Sequence, residues 1–289
     1  MCGVVVLVDP DFFGELDRFE LMVRKRVSTA YAGSRRSLLL GRGLVAVGHR
    51  EYVPGDDFRS IDWRVYGRTE RLFVKQFEEE KSLTAHVLLD VSGSMGFGVP
   101  RKFDYAARLA LGVAYLVGKQ NERFSVSCFS EDADAARPKR GMHHLSSVIR
   151  LLEGVVPGGV TAFDRCMAQY QGFIRSRSLV VLISDFLFDL EGVVSGIYRF
   201  ARNELLVLQV LDPFEIGLVV RGDTRFVDLE SGGSVEVDVS PRFAGEYRER
   251  LESHNSRIRG VCDEVGASYH LLSTDKPIFD SFFEIMSVR

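Results

Sequence analysis

The chain has 289 residues, 46% of them hydrophobic and 27% charged, with a formal net charge of −3. This is globular composition with length enough for a large core, and its slight acidity gives no footprint for nucleic acid. No apolar run approaches the ~20 residues of a membrane helix and no signal-peptide pattern opens the chain, so the expectation is a cytoplasmic protein with no membrane span.

Residues 1–83 differ from the rest of the chain. Gly14 to Ala30 spaces Leu16, Phe19, Met22, Val23 and Val27 as a helix does, with Arg24, Lys25 and Arg26 interleaved. The basic, glycine-broken stretch Gly33 to Gly43 lacks the Gly-Lys-Ser/Thr ending of a P-loop and reads as a solvated loop. Arg50 to Trp63 sets Asp56, Asp57, Arg59 and Asp62 around the only tryptophan, with Arg64 following. That mixture predicts a charge-paired junction in which Trp63 is buried. A metal or catalytic cluster of Asp56, Asp57 and Asp62 is the competing reading, weakened by an arginine near each acid. Leu72 to Phe77 predicts a strand.

From Thr84 onward strands and helices alternate, which predicts an α/β fold with a doubly wound, mainly parallel sheet of Rossmann type. Residues 84–289 form that domain in this reading, and residues 1–83 are an N-terminal accessory segment packed on it. Core strands are predicted at 85–90, 124–129, 179–184, 205–210 and 268–272. Helices are predicted over Lys102 to Gly118, Leu145 to Leu152, Ala162 to Ile174, Leu190 to Ala201, Ser240-Pro241 to Val265, and Ile278 to Met286. Thr224 to Leu229 and Ser234 to Val239 predict a hairpin. The cysteines (Cys2, Cys128, Cys166, Cys262) contain no Cys-x-x-Cys pair and read as reduced, mostly buried thiols.

The chemistry concentrates at three predicted strand ends. The apolar run Ala85 to Leu89 ends in Asp90-Val91-Ser92-Gly93-Ser94. Thr161 sits in the glycine loop Pro157-Gly158-Gly159-Val160-Thr161, and Asp185 closes the apolar strand Leu179 to Ser184. In an open α/β sheet, loops at the carboxyl ends of strands are where ligands bind. Small oxygen-bearing side chains suit a hard divalent cation, Mg²⁺ ahead of Mn²⁺ or Ca²⁺. The order of these three elements is similar to that of metal-ion-dependent adhesion sites, and this resemblance implies that Asp90 and Asp185 bring charge, that Ser92, Ser94 and Thr161 bring hydroxyl oxygens, and that one coordination position is left for a carboxylate from a protein partner.

Asp-x-Ser-x-Ser, a threonine and an aspartate in this order resemble the metal-ion-dependent adhesion site of von Willebrand factor A-like domains. The resemblance extends further. Arg50-Glu-Tyr-x-Pro-Gly-Asp-Asp-x-Arg-x-Ile-Asp-Trp63, Leu72-Phe-Val-Lys75, Asp90-Val-Ser-Gly-Ser-Met-Gly-Phe-Gly98, Ile183-Ser-Asp-Phe186 and Leu211-Asp-Pro213 are similar to the signatures of one family. It comprises the bacterial and archaeal von Willebrand factor A-like proteins associated with MoxR-type AAA+ ATPases, the domain-of-unknown-function family numbered fifty-eight. The threonine loop departs from that family's usual Gly-Gly-Thr-Asp. The resemblance implies an interaction module working beside a MoxR-type AAA+ ATPase rather than an enzyme, and it leaves the oligomeric state open.

An enzyme reading competes. Ser92-Gly93-Ser94-Met95-Gly96 is similar to a nucleophile elbow, with Asp185 or Asp212 and then His270 following in the order of an α/β-hydrolase. Here the elbow would end the first strand of the alternation, and no His-Gly-Gly segment precedes it. A dehalogenase-type phosphatase needs an acid where Ser92 stands. His143 and His144 are adjacent and cannot face one way on a helix.

Overall fold

The computed structural model describes residues 7–8, 11–18, 48–54, 56, 58, 61–76 and 83–286. They divide into two units, one formed by the described residues within 1–39 and 83–289, the other by those within 40–82. In the larger unit residues 11–18 form helix α1. The remainder of the helix predicted over Gly14 to Ala30, and the basic stretch Gly33 to Gly43, lie outside the described residues.

In the smaller unit β1 (Gly48–Glu51) pairs antiparallel with β2 (Phe73–Gln76), with α2 (Trp63–Thr69) between them in sequence. Asp62 caps α2, its Oδ1 accepting from the N–H groups of Arg64 (2.9 Å) and Val65 (3.3 Å). Asp56 accepts from the N–H of Val53 (3.0 Å). Both carboxylates thus serve local backbone turns, and Asp57 lies outside the described residues. Trp63 corrects an expectation: it is 61% exposed, with its ring edge-on to Tyr66. The reason is local, since α2 is short, carries Arg64, Gly67 and Arg68, and buries none of its side chains.

The larger unit continues as β3 (Thr84–Asp90), α3 (Lys102–Lys119), β4 (Arg123–Phe129), α4 (Met142–Glu153), α5 (Phe163–Gln171), β5 (Leu179–Ser184) and α6 (Leu190–Arg199). Then come β6 (Glu204–Leu211), α7 (Pro213–Gly217), β7 (Gly222–Val227), β8 (Ser234–Val239), α8 (Pro241–Val265), β9 (Ser268–Ser273) and α9 (Ile278–Met286). Five strands form one sheet in the order β4-β3-β5-β6-β9, every neighbouring pair parallel. The fold is α/β, as the alternation predicts. Strands covered on both faces read as continuous apolar runs, and all six residues of β5 are buried. Each Val or Leu so removed from water contributes roughly 1.5–3 kcal/mol.

Helices α5, α6 and α8 cover one face, with Phe163, Ile197 and Ile258 packed on Leu88, Leu182 and Val207. Helix α3 packs against α4 and α9 on the other face. Helix α1 joins that layer: Phe13 meets the Tyr115 ring, Phe12 the Phe282 ring, and Asp17 accepts from Tyr115 and Lys119. The predicted start of α8 is found as read, with Ser240 accepting from the Phe243 N–H and Pro241 at the first turn. It ends at Gly266, whose φ of 70° lies in the left-handed region that glycine enters without a Cβ clash.

Two features sit outside the main sheet. On the outer edge of β4, residues 133 and 139 make antiparallel bridges to Phe129 and Phe124. Strands β7 and β8 form a separate two-stranded hairpin, mostly exposed.

Candidate metal centre

The chain leaves β3, adds β4 on one side, and returns to build β5 on the other side of β3. The loops after β3 and β5 therefore diverge, and a crevice opens between their carboxyl ends, the switch point where open α/β sheets bind ligands. Asp90 is the last residue of β3, and Asp185 directly follows the last residue of β5. Asp90 Oδ1 accepts from the Ser92 N–H (2.9 Å), and its Oδ2 accepts from the Ser184 hydroxyl (2.6 Å). A 3₁₀ turn, Gly93–Gly96, then brings Ser94 back, leaving the Ser92 and Ser94 hydroxyl oxygens 3.1 Å apart. Four of the predicted residues, Asp90, Ser92, Ser94 and Asp185, are thus brought to one crevice.

The electrostatics follow from burial. Asp90 is fully buried, and its carboxyl is pushed up to about 7, first by loss of water and then by the nearby Asp185 charge; hydrogen bonds from Ser184 and Ser92 act the other way. Asp185 Oδ2 accepts from the buried ammonium of Lys102 at 2.7 Å, and that ammonium also meets Glu215 Oε1 at 2.5 Å. Burial opposes the charge on Lys102, but Asp185 and Glu215 outweigh it and hold the group above its ordinary value. Burial raises Glu215 despite Lys102. With all groups ionised, the three carboxylates of Asp90, Asp185 and Glu215 against one ammonium leave two negative charges.

The threonine loop is stitched to the serine loop. The Gly158 N–H donates to the Val91 carbonyl (2.8 Å), and the Gly93 N–H donates to the Gly159 carbonyl (3.0 Å). Thr161 is half-buried at the end of this loop, and its N–H (3.0 Å) and hydroxyl (2.9 Å) both donate to the carboxylate of Glu230, from the β7–β8 turn. The extra residue in this loop, Val160, is left 48% exposed.

The donor set fits a divalent cation. All its atoms are oxygens, its two carboxylates when ionised match the charge of one divalent ion, and Lys102 already stands in as a positive charge against Asp185. Metal–oxygen bonds of 2.0–2.1 Å in an octahedron place neighbouring ligand oxygens roughly 2.9 Å apart, close to the Ser92–Ser94 spacing. Among the described residues no three His, Cys, Asp or Glu side chains cluster as a metal cage, so hydroxyls are a necessary part of any such site here.

The alternative triad is not assembled by these contacts. Ser94 faces Ser92, and Asp212 caps α7 by accepting from the Phe214 N–H (2.8 Å). His270 lies mid-way along β9, with β5 and β6 between it and β3, and its Nδ1 faces Glu284 at 3.5 Å. Motif reading misses four residues. Ser184 lies inside the Ile183-Ser-Asp-Phe186 block and is open to notice. Lys102, the charged first residue of an otherwise apolar helix face, is a weaker signal. Glu215 and Glu230 carry none.

The sequence model of the family described as "Protein of unknown function DUF58" matches residues 48–257. The chain belongs to this DUF58 family. The DUF58 chain is similar to uncharacterized proteins of Mycobacterium tuberculosis and Mycobacterium bovis, each 28% identical over 275 residues that cover 93% of this chain and 86% of the relative. The uncharacterized protein YeaD of Bacillus subtilis is 29% identical over 104 residues, 32% of this chain and 26% of that protein. Among solved structures, an aerotolerance-related membrane protein from Bacteroides fragilis aligns with a TM-score of 0.47 and 16% identity, over 71% of this chain and 98% of that one. The conserved hypothetical protein BatB from Bacteroides thetaiotaomicron aligns with the same TM-score of 0.47 and 16% identity, over 71% of this chain and 97% of that one.

Proposed function

We propose that this DUF58 chain is a metal-ion-dependent protein–protein interaction module of von Willebrand factor A-like, Rossmann type. In this reading Asp90, Ser92, Ser94, Thr161 and Asp185 hold a divalent cation, Mg²⁺ in preference to Mn²⁺ or Ca²⁺. The observation that carries it is the meeting of Asp90, Ser92, Ser94 and Asp185 at the switch point, two carboxylates and two hydroxyls with a single ammonium, Lys102, against them. The strand order and the antiparallel bridges outside β4 support the fold type.

When bound, the cation supplies a Lewis-acidic position for an anionic oxygen. The chain's own residues define that position: Asp90 anchors charge, Ser184 and the Ser92 N–H orient Asp90, and Lys102 holds Asp185 in place. A glutamate or aspartate of a partner suits the remaining position. The partner assigned by the family resemblance is a MoxR-type AAA+ ATPase, with this chain as its adaptor in chaperone-like assembly or maturation in the cytoplasm. No helix among the described residues is long and apolar enough to cross a membrane.

Calorimetry with such an ATPase, in Mg²⁺ and in EDTA, for parent and Asp90→Ala, tests this reading. Association is expected in the parent with Mg²⁺ alone, weakened at least about tenfold in the other three conditions. Equal affinity in all four would remove the metal site from docking.

A further inference from the structure

Helix α2 of the smaller unit buries none of its side chains, and a helix of seven residues gains little stability without packing. At about 100° per residue, Tyr66, Trp63, Gly67, Arg64 and Arg68 follow one another around one side of it, while Val65 lies opposite and is half-buried. Trp63 and Tyr66 form the aromatic end of this arc, 61% and 41% exposed, their rings edge-on with centroids 6.1 Å apart. Arg64 and Arg68 form the other end, one helical turn apart and both exposed. Among the described residues neither arginine side chain makes an ion pair or a hydrogen bond, whereas Arg71, just past the helix, pairs with Glu51 at 3.4 Å.

Gly67 lies between the two ends. Glycine is the poorest helix former after proline, and here no neighbour requires it. Its backbone is helical rather than left-handed, and a Cβ at Gly67 meets nothing within 4 Å. Gly112 and Gly196 differ, because a Cβ there would run into the Phe282 and Phe163 rings of the same chain. What Gly67 leaves is an open notch, with Trp63 on one side and Arg64 on the other. Trp, Tyr and Arg are the residues that dominate binding energy in protein interfaces, and a glycine among them lets a second backbone approach closely. A membrane-surface helix needs a long apolar face, and a nucleic-acid site needs a broad basic stripe. Seven residues with two arginines, in a chain of net charge −3, supply neither.

We infer that this side of α2 is a docking face for an acidic amphipathic helix of a protein partner. Two carboxylates one turn apart on that helix match Arg64 and Arg68. An apolar side chain beside them enters the notch over Gly67 and packs on the Trp63 ring. The face belongs to the smaller unit and uses none of the proposed cation ligands, so it is a second contact that does not depend on that reading.

Trp63 is the only tryptophan of the chain, so its emission reports this face directly. The test titrates the full chain with a synthetic helical peptide of glutamate and leucine, its glutamates one turn apart, in Mg²⁺ and in EDTA. The peptide is expected to move Trp63 emission to shorter wavelength and to shield it from acrylamide, saturably and equally in both buffers. A counterpart with lysine in place of glutamate is expected to do neither. Arg64→Glu combined with Arg68→Glu should weaken peptide binding about tenfold or more. Gly67→Leu should weaken it as much by filling the notch, while thermal unfolding stays level or rises, because leucine is the better helix former. Both variants keep Trp63 as the reporter, and thermal unfolding checks that both are folded. No response to the acidic peptide, an equal response to the lysine peptide, or parent affinity in the folded arginine variant would overturn the docking face. A response confined to parallel titrations with a single-stranded oligonucleotide or phosphatidylserine vesicles would overturn the protein occupant. A response lost in EDTA would overturn its independence from the cation site.

Discussion

Lys102 Nζ stands 2.7 Å from Asp185 Oδ2, and water reaches almost none of either side chain, 0% and 1% exposed. The same ammonium holds Glu215 at 2.5 Å. Breaking a buried pair by removing one partner typically costs about 3–5 kcal/mol, because the abandoned charge stays out of water. Lys102→Met is therefore expected to lower the metal-free unfolding free energy by about 3 kcal/mol in urea titrations. Mg²⁺ should return part of that loss if it can approach Asp185. A loss below about 1 kcal/mol would mean that the pair adds little beyond an exposed one.

Acid and base behaviour should reveal two buried groups with opposite slopes. Asp90 rises from an ordinary 3.8 to about 7, so between those values the folded chain holds a proton that the unfolded chain has lost. Its contribution to metal-free stability falls as pH rises through that window. His86, buried beside the Tyr170 hydroxyl, is lowered by burial from 6.5 to about 4. Between those values the unfolded chain takes up a proton that folded His86 refuses, so this contribution falls as pH drops. The two offset each other from about pH 4 to 6.5. Asp90→Asn should uncover the histidine slope: thermal unfolding in EDTA is expected to show stability climbing steadily from pH 4 to 6.5, more steeply than in the parent. Parallel profiles would contradict the raised Asp90.

Closure of the hairpin can be read at one amide. The Thr161 N–H donates to Glu230, and a Cβ on Gly93 would collide with the Leu229 carbonyl beneath that turn. Gly93→Ala should push the hairpin outward and speed hydrogen exchange at Thr161 by about tenfold or more, as local opening does without global unfolding. Glu230→Ala should give the same acceleration. Unchanged exchange in Gly93→Ala would show that the turn accommodates the methyl without lifting.

The threonine hydroxyl separates ligation from packing. Thr161→Val keeps the side-chain shape and the N–H bond to Glu230 but deletes the hydroxyl. Because Thr161 is half-buried in a loop, stability should change by no more than about 0.5–1 kcal/mol. Mg²⁺ affinity, measured by calorimetry, is expected to fall at least about tenfold. Binding at the parent's strength would take Thr161 out of the ligand set.

The sequence is informative wherever the cause is local. Ser240-Pro241 marks the start of α8 because a hydroxyl cap and a proline at the first turn act within one helical turn. The apolar run before Asp185 marks β5 because a strand covered on both faces has no polar positions. Trp63 is misread because an aromatic residue among charges can anchor a junction or sit on an exposed helix, and only packing decides. Partners of the site residues are hidden for a different reason. Lys102 meets Asp185 across 83 positions and Glu215 across 113, while Thr161 meets Glu230 across 69. No periodicity encodes such pairs; the sheet order creates them.

The antiparallel bridges outside β4 bear on how this chain resists aggregation. β4 is the terminal strand of the sheet, and a bare terminal strand offers its free N–H and C=O row to any other extended chain. Here Phe124 exchanges both backbone hydrogen bonds with Lys139 at 3.0 Å, the Asp134 N–H donates to the Cys128 carbonyl at 2.9 Å, and the Ala136 N–H donates to the Ser127 hydroxyl at 3.0 Å. The segment between acts as a sacrificial neighbour: it satisfies the edge with only two bridges, and Pro138 within it cannot extend the ladder further. Strand-to-strand growth between copies is thereby blocked at the side of the sheet next to the strand that ends in Asp90.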